Sequence, residues 1–285
     1  RRGTTVETVI GSGTTIAGES GGTVRIGAVA DVEDGTPQSI AGSGGAIASS
    51  MGIVDMRVGR AVRVSVAADT LIAGENLIVE AEETGETEAL VRAGVGGAIG
   101  VGVAIAGAVR DSTIQVLLAN GSRPTELRGK TLTVEARRYG KTEATVNLVA
   151  SGAIGVGGAS AIAKDTSVVT VDLGGANLSA DEVIVRSINA GDVNAQSYGL
   201  VGGAGTTGLH NAVARRLSAT NLVGNGIDLS AGDATFLAVD NIPGAENVTV
   251  YAEAISTTIS GGSLNGSNTL ARNESAVETR LRFGS

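Results

Sequence analysis

The chain has no cysteine and no tryptophan, a single histidine, 3 prolines and 2% aromatic residues in a length of 285. Without cysteine there is no thiol nucleophile, disulfide or thiolate metal site. With His210 as its only histidine, the chain cannot build a His-pair metal site or a duplicated acid–base dyad. The scarcity of rings excludes a core that takes its volume from Phe, Tyr and Trp, so the core must be thin and filled by small and β-branched side chains. Positive charge is also short. Lys and Arg number 21 against 29 Asp and Glu, a net charge of -8, which argues against nucleic acid and anionic membrane as general partners.

Glycine, by contrast, numbers 44, and the apolar fraction of 42% is mainly Ala, Val, Ile and Leu. The opening Arg1-Arg2-Gly3 is not followed by a signal-peptide apolar run, so the segment is read as mature or excised.

Self-similarity dominates the sequence. "LIVEAEETGETEALVRAGVGGAIGVGVAIAGAVRDSTIQVLL" starts at Leu77 and "LTVEARRYGKTEATVNLVASGAIGVGGASAIAKDTSVVTVDL" at Leu132, an offset of 55 that needs no gap. An offset of 51 places Val134 on Val185, and one of 52 places Gly44 on Gly96. A further copy restarts at "VTVYAEA", with Val250 placed on Val185 at an offset of 65. These offsets divide the chain into a partial repeat (1–22), repeats at 23–76, 77–131, 132–182 and 183–247, and a truncated one at 248–285. The extra length of the fourth is assigned to an insertion at about 232–246, which contains Phe236 and Pro243 and is the candidate for lateral contacts.

Within a repeat the period is two. From Gly94 to Ala108 every even position is Gly or Ala, while Val95, Ile99, Val101, Val103 and Ile105 are odd. That is an extended chain whose small face admits another layer closely. A helix would carry six glycines in "AGVGGAIGVGVAIAGAV" at about 1 kcal/mol each against alanine. A membrane-spanning reading of Ala93 to Val109 fails on the repeat-mate, which carries Ser151, Ser160, Lys164 and Asp165.

If repeats stack in register, equivalent residues lie about 4.8 Å apart, where opposite charges attract. Glu82 and Glu83 map on Arg137 and Arg138. One column reads Glu86, Lys141, Asp192 and another Arg110, Asp165, Arg216, with signs alternating along both. As exposed pairs these would each contribute about 0–1 kcal/mol and chiefly set register.

No catalytic, cofactor or metal constellation emerges. His210 reads as a polar substitution in a degenerate repeat. Gly203-Ala-Gly205-Thr-Thr-Gly208 fits G-x-G-x-x-G, but its glycines align with "GAIGVGG" in the preceding repeat. "GNGIDLSAGD", with Asp228 and Asp233, reads as a turn rather than a calcium site, and the acids from Glu80 to Glu88 lack the aromatic platform that sugar cleavage uses. Five glycosylation sequons, from Asn120 to Asn273, are within chance for a chain this rich in Ser and Thr.

The motif "LTVEA…TEATV…SGAIGVGGASAIA…TSVVTVDL" resembles the large repetitive surface proteins of the leukotoxin and filamentous-haemagglutinin type, over about 23–285. The resemblance implies a parallel β-solenoid, export to the cell surface, and roles in adhesion, biofilm or filament formation, with no catalytic residues to carry over.

The expected fold is therefore an all-β parallel β-solenoid, or β-helix, of about five glycine-rich repeats, with an antiparallel glycine-rich β-sandwich as the alternative. The expected function is a non-enzymatic extracellular scaffold that binds itself, with a ligand-binding adhesin module on a host or neighbouring-cell surface as the second reading. "TTVETVI" and "SAVETRL" place Val6-Glu7-Thr8 and Val277-Glu278-Thr279 at one point of the repeat, so that copies join head to tail; excision from a longer array would give the same match.

Overall fold

The computed structural model describes residues 2–31, 36–240 and 250–284, with the backbone alone for 2 and 258–267. Every regular element among them is a strand: β1 (Arg2–Ile10), β2 (Thr15–Ala17), β3 (Thr23–Asp31), β4 (Gln38–Val66), β5 (Leu71–Ala73), β6 (Asn76–Thr84), β7 (Glu86–Leu118), β8 (Glu126–Arg128), β9 (Thr131–Asp165), β10 (Val168–Asp172), β11 (Asn177–Asn225), β12 (Asp228–Val239) and β13 (Val250–Gly284). No helix of the described residues is long and apolar enough to cross a membrane.

The strands form one 13-stranded sheet in which the pairings are parallel. This overturns the antiparallel alternative, because strands joined by short turns do not pair. Leu77 stands beside Leu132, and Thr142 lies between Thr87 and Val193. Side-chain similarity thus runs along columns at right angles to the strands. Val185 stands beside both Val134 and Phe236, whereas Val250 pairs with Val193. The offset of 65 was therefore wrong. Residues 232–239 belong to the paired strand β12 and do not form an inserted loop; Pro243 lies outside the described residues.

The long strands turn back at a glycine corner. Gly45, Gly97 and Gly152 share a column. A Cβ on Gly97 would strike the Gly45 carbonyl oxygen, one on Gly152 that of Gly97, and one on Gly203 that of Gly152. Gly45 and Gly203 also take φ of 143° and 155°, which side chains disfavour. The corner is why β4, β7, β9 and β11 each carry glycine at this point.

Two large apolar compartments result, with a small third cluster of Ala48, Val95, Ala150 and Val201 beside the corner. In the wider one, Leu77, Val79 and Ala81 with their column mates face Ile114, Val116 and Leu118, closed by Leu127. In the thinner one, Ala104, Ala106 and Ala108 lie against Ala89, Val91 and Ala93. After the corner the small residues turn inward as the periodicity requires, and Val101 and Ile105 are left 38% and 37% exposed. Before it the parity is reversed, because Val95 is buried while Gly94 and Gly96 are half-buried.

Candidate functional site

Between the two compartments lies a layer of buried charge. Period two places Glu83 inward after Val79 and Ala81, and Arg110 inward after Ala106 and Ala108. Arg138, beside Glu83 in the sheet, and Asp165, beside Arg110, follow the same parity. The two columns face each other. Glu83 Oε1 accepts from Arg110 (2.6 Å), Arg60 (3.1 Å) and the Ser112 hydroxyl (3.1 Å). Arg138 pairs with Asp165 at 2.7 Å and with Glu83 at 3.5 Å, and donates to Asn189 Oδ1 at 3.1 Å. Arg216 pairs with Asp240 at 2.9 Å and donates to the Asn189 carbonyl. Signs alternate along each column and across the gap.

The column Arg110, Asp165, Arg216 is therefore in register but not solvated, and the estimate for exposed pairs does not apply to it. Arg110 and Asp165 are fully buried, and Arg216 nearly so. Burial opposes the charge on Asp165, but Arg138, the hydroxyl and amide of Ser167, and Arg110 outweigh it and hold its pKa below the usual carboxylate range. Burial, and next Arg138, lower the pKa of Arg110 against the pull of Glu83. At Asp240 burial prevails over Arg216 and raises the pKa.

The other column is a surface feature. Glu86, Lys141 and Asp192 stand side by side, with Glu86 exposed. Lys141 forms its ion pair with Glu143 on its own strand. Burial opposes its charge, yet Glu143, Glu88 and Glu86 together raise its pKa.

At the two edges of the sheet, Val6, Glu7 and Thr8 pair with Val62, Arg63 and Val64, while Val277, Glu278 and Thr279 pair with Ser218, Ala219 and Thr220. Followed strand by strand, the column of Val6 ends at Thr279 and that of Glu7 at Arg280. The matched triplets occupy the same strand position offset by two residues, which preserves which side chains face inward. Phe236 is not a lateral contact: it packs on the wide apolar compartment and meets Phe283 edge-on with ring centroids 5.0 Å apart.

His210 stands beside Ala159 in an inward alanine column, 2% exposed, with neither ring nitrogen hydrogen-bonded. Its ring occupies the space that a side chain on Gly199 would need. Burial lowers its pKa. The unfolded chain takes up a proton near pH 6.5, whereas the folded chain resists it, so this contribution is full above about pH 6.5 and is lost as pH falls toward the lowered folded value. His210→Leu is expected to flatten that part of the stability–pH curve in urea titrations; an unchanged slope would contradict the assignment.

Gly203 to Gly208 run through the corner within β11, without the strand-to-helix turn that a dinucleotide fingerprint needs. Asp228 and Asp233 are both exposed on β12, on either side of the irregularity where the pairing with β11 skips Gly232. Among the described residues no group of three or more His, Cys, Asp or Glu is placed to hold a metal ion. No protein-family model, curated protein or solved structure matches this chain.

Proposed function

We propose that the chain is a parallel β-solenoid that acts as a non-enzymatic scaffold at the cell surface, each copy adding to the next by pairing of its terminal strands. The observation that carries this reading is the match of opposite charges between the two edges. Residues 38–57 of β4 pair only with β7, and β13 pairs only with β11, so both present unpaired backbone among the described residues. The column that begins at Asp55 ends at Arg272, and the column that begins at Arg57 ends at Glu274. Glu7 and Arg280 are a third such pair.

On each edge the charges are already paired with each other, Asp55 with Arg57 at 3.1 Å and Arg272 with Glu274 at 2.5 Å. Continuing the columns from copy to copy would bring the two pairs together with opposite signs adjacent. Charges on an edge normally block pairing. Here their order puts opposite signs together when the unlike edges meet, as a heterologous, non-closing contact. Apolar area adds to the joint, since Leu281 and Phe283 on one edge are 53% and 46% exposed, and Ile40 and Ile47 on the other 75% and 77%.

The expected outcome is that Asp55→Arg with Arg57→Glu abolishes end-to-end association in sedimentation velocity and electron micrographs without lowering the melting temperature. Adding Arg272→Glu and Glu274→Arg to the same chain should restore it. Association untouched by the first pair, or a failure of the second to rescue, would refute the edge-pairing reading.

A further inference from the structure

The outward face after the corner is uncharged and largely aliphatic, and nothing among the described residues accounts for that. From β7 and β9 the thin compartment takes only Gly and Ala, because Val95 and Leu148 from the facing segment already fill the gap; the Cβ position of Gly102 is 3.2 Å and 2.8 Å from them. The larger residues are thus turned out. From Ile47 to Ile53, Ile99 to Ile105, Ile154 to Ser160 and Gly205 to Asn211, no outward position holds a charged side chain. Four strands about 4.8 Å apart, with outward residues about 6.7 Å apart along each, make a field of about 500 Å². Ten of its sixteen positions are Ile, Val, Leu or Met, about 300 Å² of aliphatic surface, which is within the range of the largest apolar patch on a monomer.

We propose that this face is a side-by-side interface for a second copy of the chain. The relief of the face is the reason to prefer a copy of itself. Val103 on β7 and Gly158 on β9 are neighbours in one column, as are Ile105 and Ser160 in the next outward column. A ridge therefore lies beside a dip, a 310 Å³ depression walled by Val103, Ile105, Leu209 and Asn211. A two-fold axis parallel to the strands, between β7 and β9, keeps every column in place and reverses the strand order. It sets Val103 of each copy over Gly158 of the other and Ile105 over Ser160. At these two columns each ridge fills the other's dip, while in the columns before them Ile99 meets Ile154 and Val101 meets Val156, as an isologous interface requires. The two fields together bury about 1,000 Å², the area at which a specific interface begins. A bilayer fits less well, since the face has no aromatic residues and the chain carries a net charge of -8.

The inference does not depend on the end-to-end reading, and its test separates the two. Sedimentation equilibrium is run on the full chain carrying Asp55→Arg and Arg57→Glu, which blocks the edges, with and without Gly158→Leu or Val103→Lys. A Cβ at Gly158 meets nothing within 4 Å, so leucine there fills the dip without disturbing the fold. A dimer is expected in the edge-blocked chain, and either further substitution should raise its dissociation constant at least ten-fold. A monomer in the edge-blocked chain, a dimer indifferent to Gly158→Leu, or binding to phosphatidylcholine vesicles by a chain that stays monomeric would each overturn the proposal.

Discussion

Glu83→Ala is expected to lower the stability of the chain by about 3–5 kcal/mol, because the carboxylate is the common partner of three buried guanidinium groups. It accepts from Arg60 and Arg110, pairs with Arg138, and is itself fully buried. Its removal would leave Arg110 and Arg138 facing each other in a layer without solvent, and Arg138 already works against the charge of Arg110. Glu83→Gln keeps the shape and one acceptor but removes the charge, so it should fall between wild type and alanine in urea unfolding. Equal stability of all three proteins would show that the layer is hydrated or the pairing incidental. Asp165 tests the same layer by pH. Its pKa is depressed in the fold, so its contribution is present above the unfolded value of about 3.9 and is lost as pH falls through the folded one. Asp165→Asn should remove that acid-side loss.

Gly100→Ala and Gly102→Leu are the second expected large effects. The Cβ of alanine at 100 would sit 2.6 Å from the Ser151 carbonyl oxygen, which is backbone fixed by the sheet and cannot rotate away. At 102 even the Cβ comes within 2.8 Å of Leu148 and 3.2 Å of Val95, and leucine would force three further carbons into the thin compartment. Overpacking of this kind costs about 1–3 kcal/mol, and more where backbone must move. Thermal unfolding should show both variants well below wild type, while Gly158→Leu on the outer face of the neighbouring strand should match it. If the inner and outer substitutions behaved alike, the assignment of inward and outward faces would be wrong.

Much of the sheet was legible because a parallel, in-register sheet places like residues next to like. The offsets of 52, 55 and 51 found in the sequence are the offsets at which Gly44 meets Gly96, Leu77 meets Leu132 and Val134 meets Val185. The offset of 65 failed because it followed the hydrophobic pattern of "VTVYAEA" and overlooked Phe236, a ring standing in a valine column. Glycine at the corner and the alternation of small and large residues were legible for the same reason, since each reflects a constraint repeated on every neighbouring strand.

What lies across the interior was not legible. Similarity between repeats reveals neighbours within a sheet, but the partner facing a residue depends on where the chain turns back and on the gap between the two segments. Glu83 and Arg110 meet because the corner at Gly97 falls midway between them. The parity signal was present, since both continue inward-facing runs, yet parity alone does not say that they face each other. The same gap decides the aliphatic face, because it is wide enough for one layer of valine and leucine and not for two. The sequence alone therefore determined how the strands from β4 to β11 pair and in what register, through the repetition of residue types along the columns. Only the tertiary structure decided that one charge column is buried and the aliphatic residues exposed, because both follow from the distance between segments that share no sequence similarity.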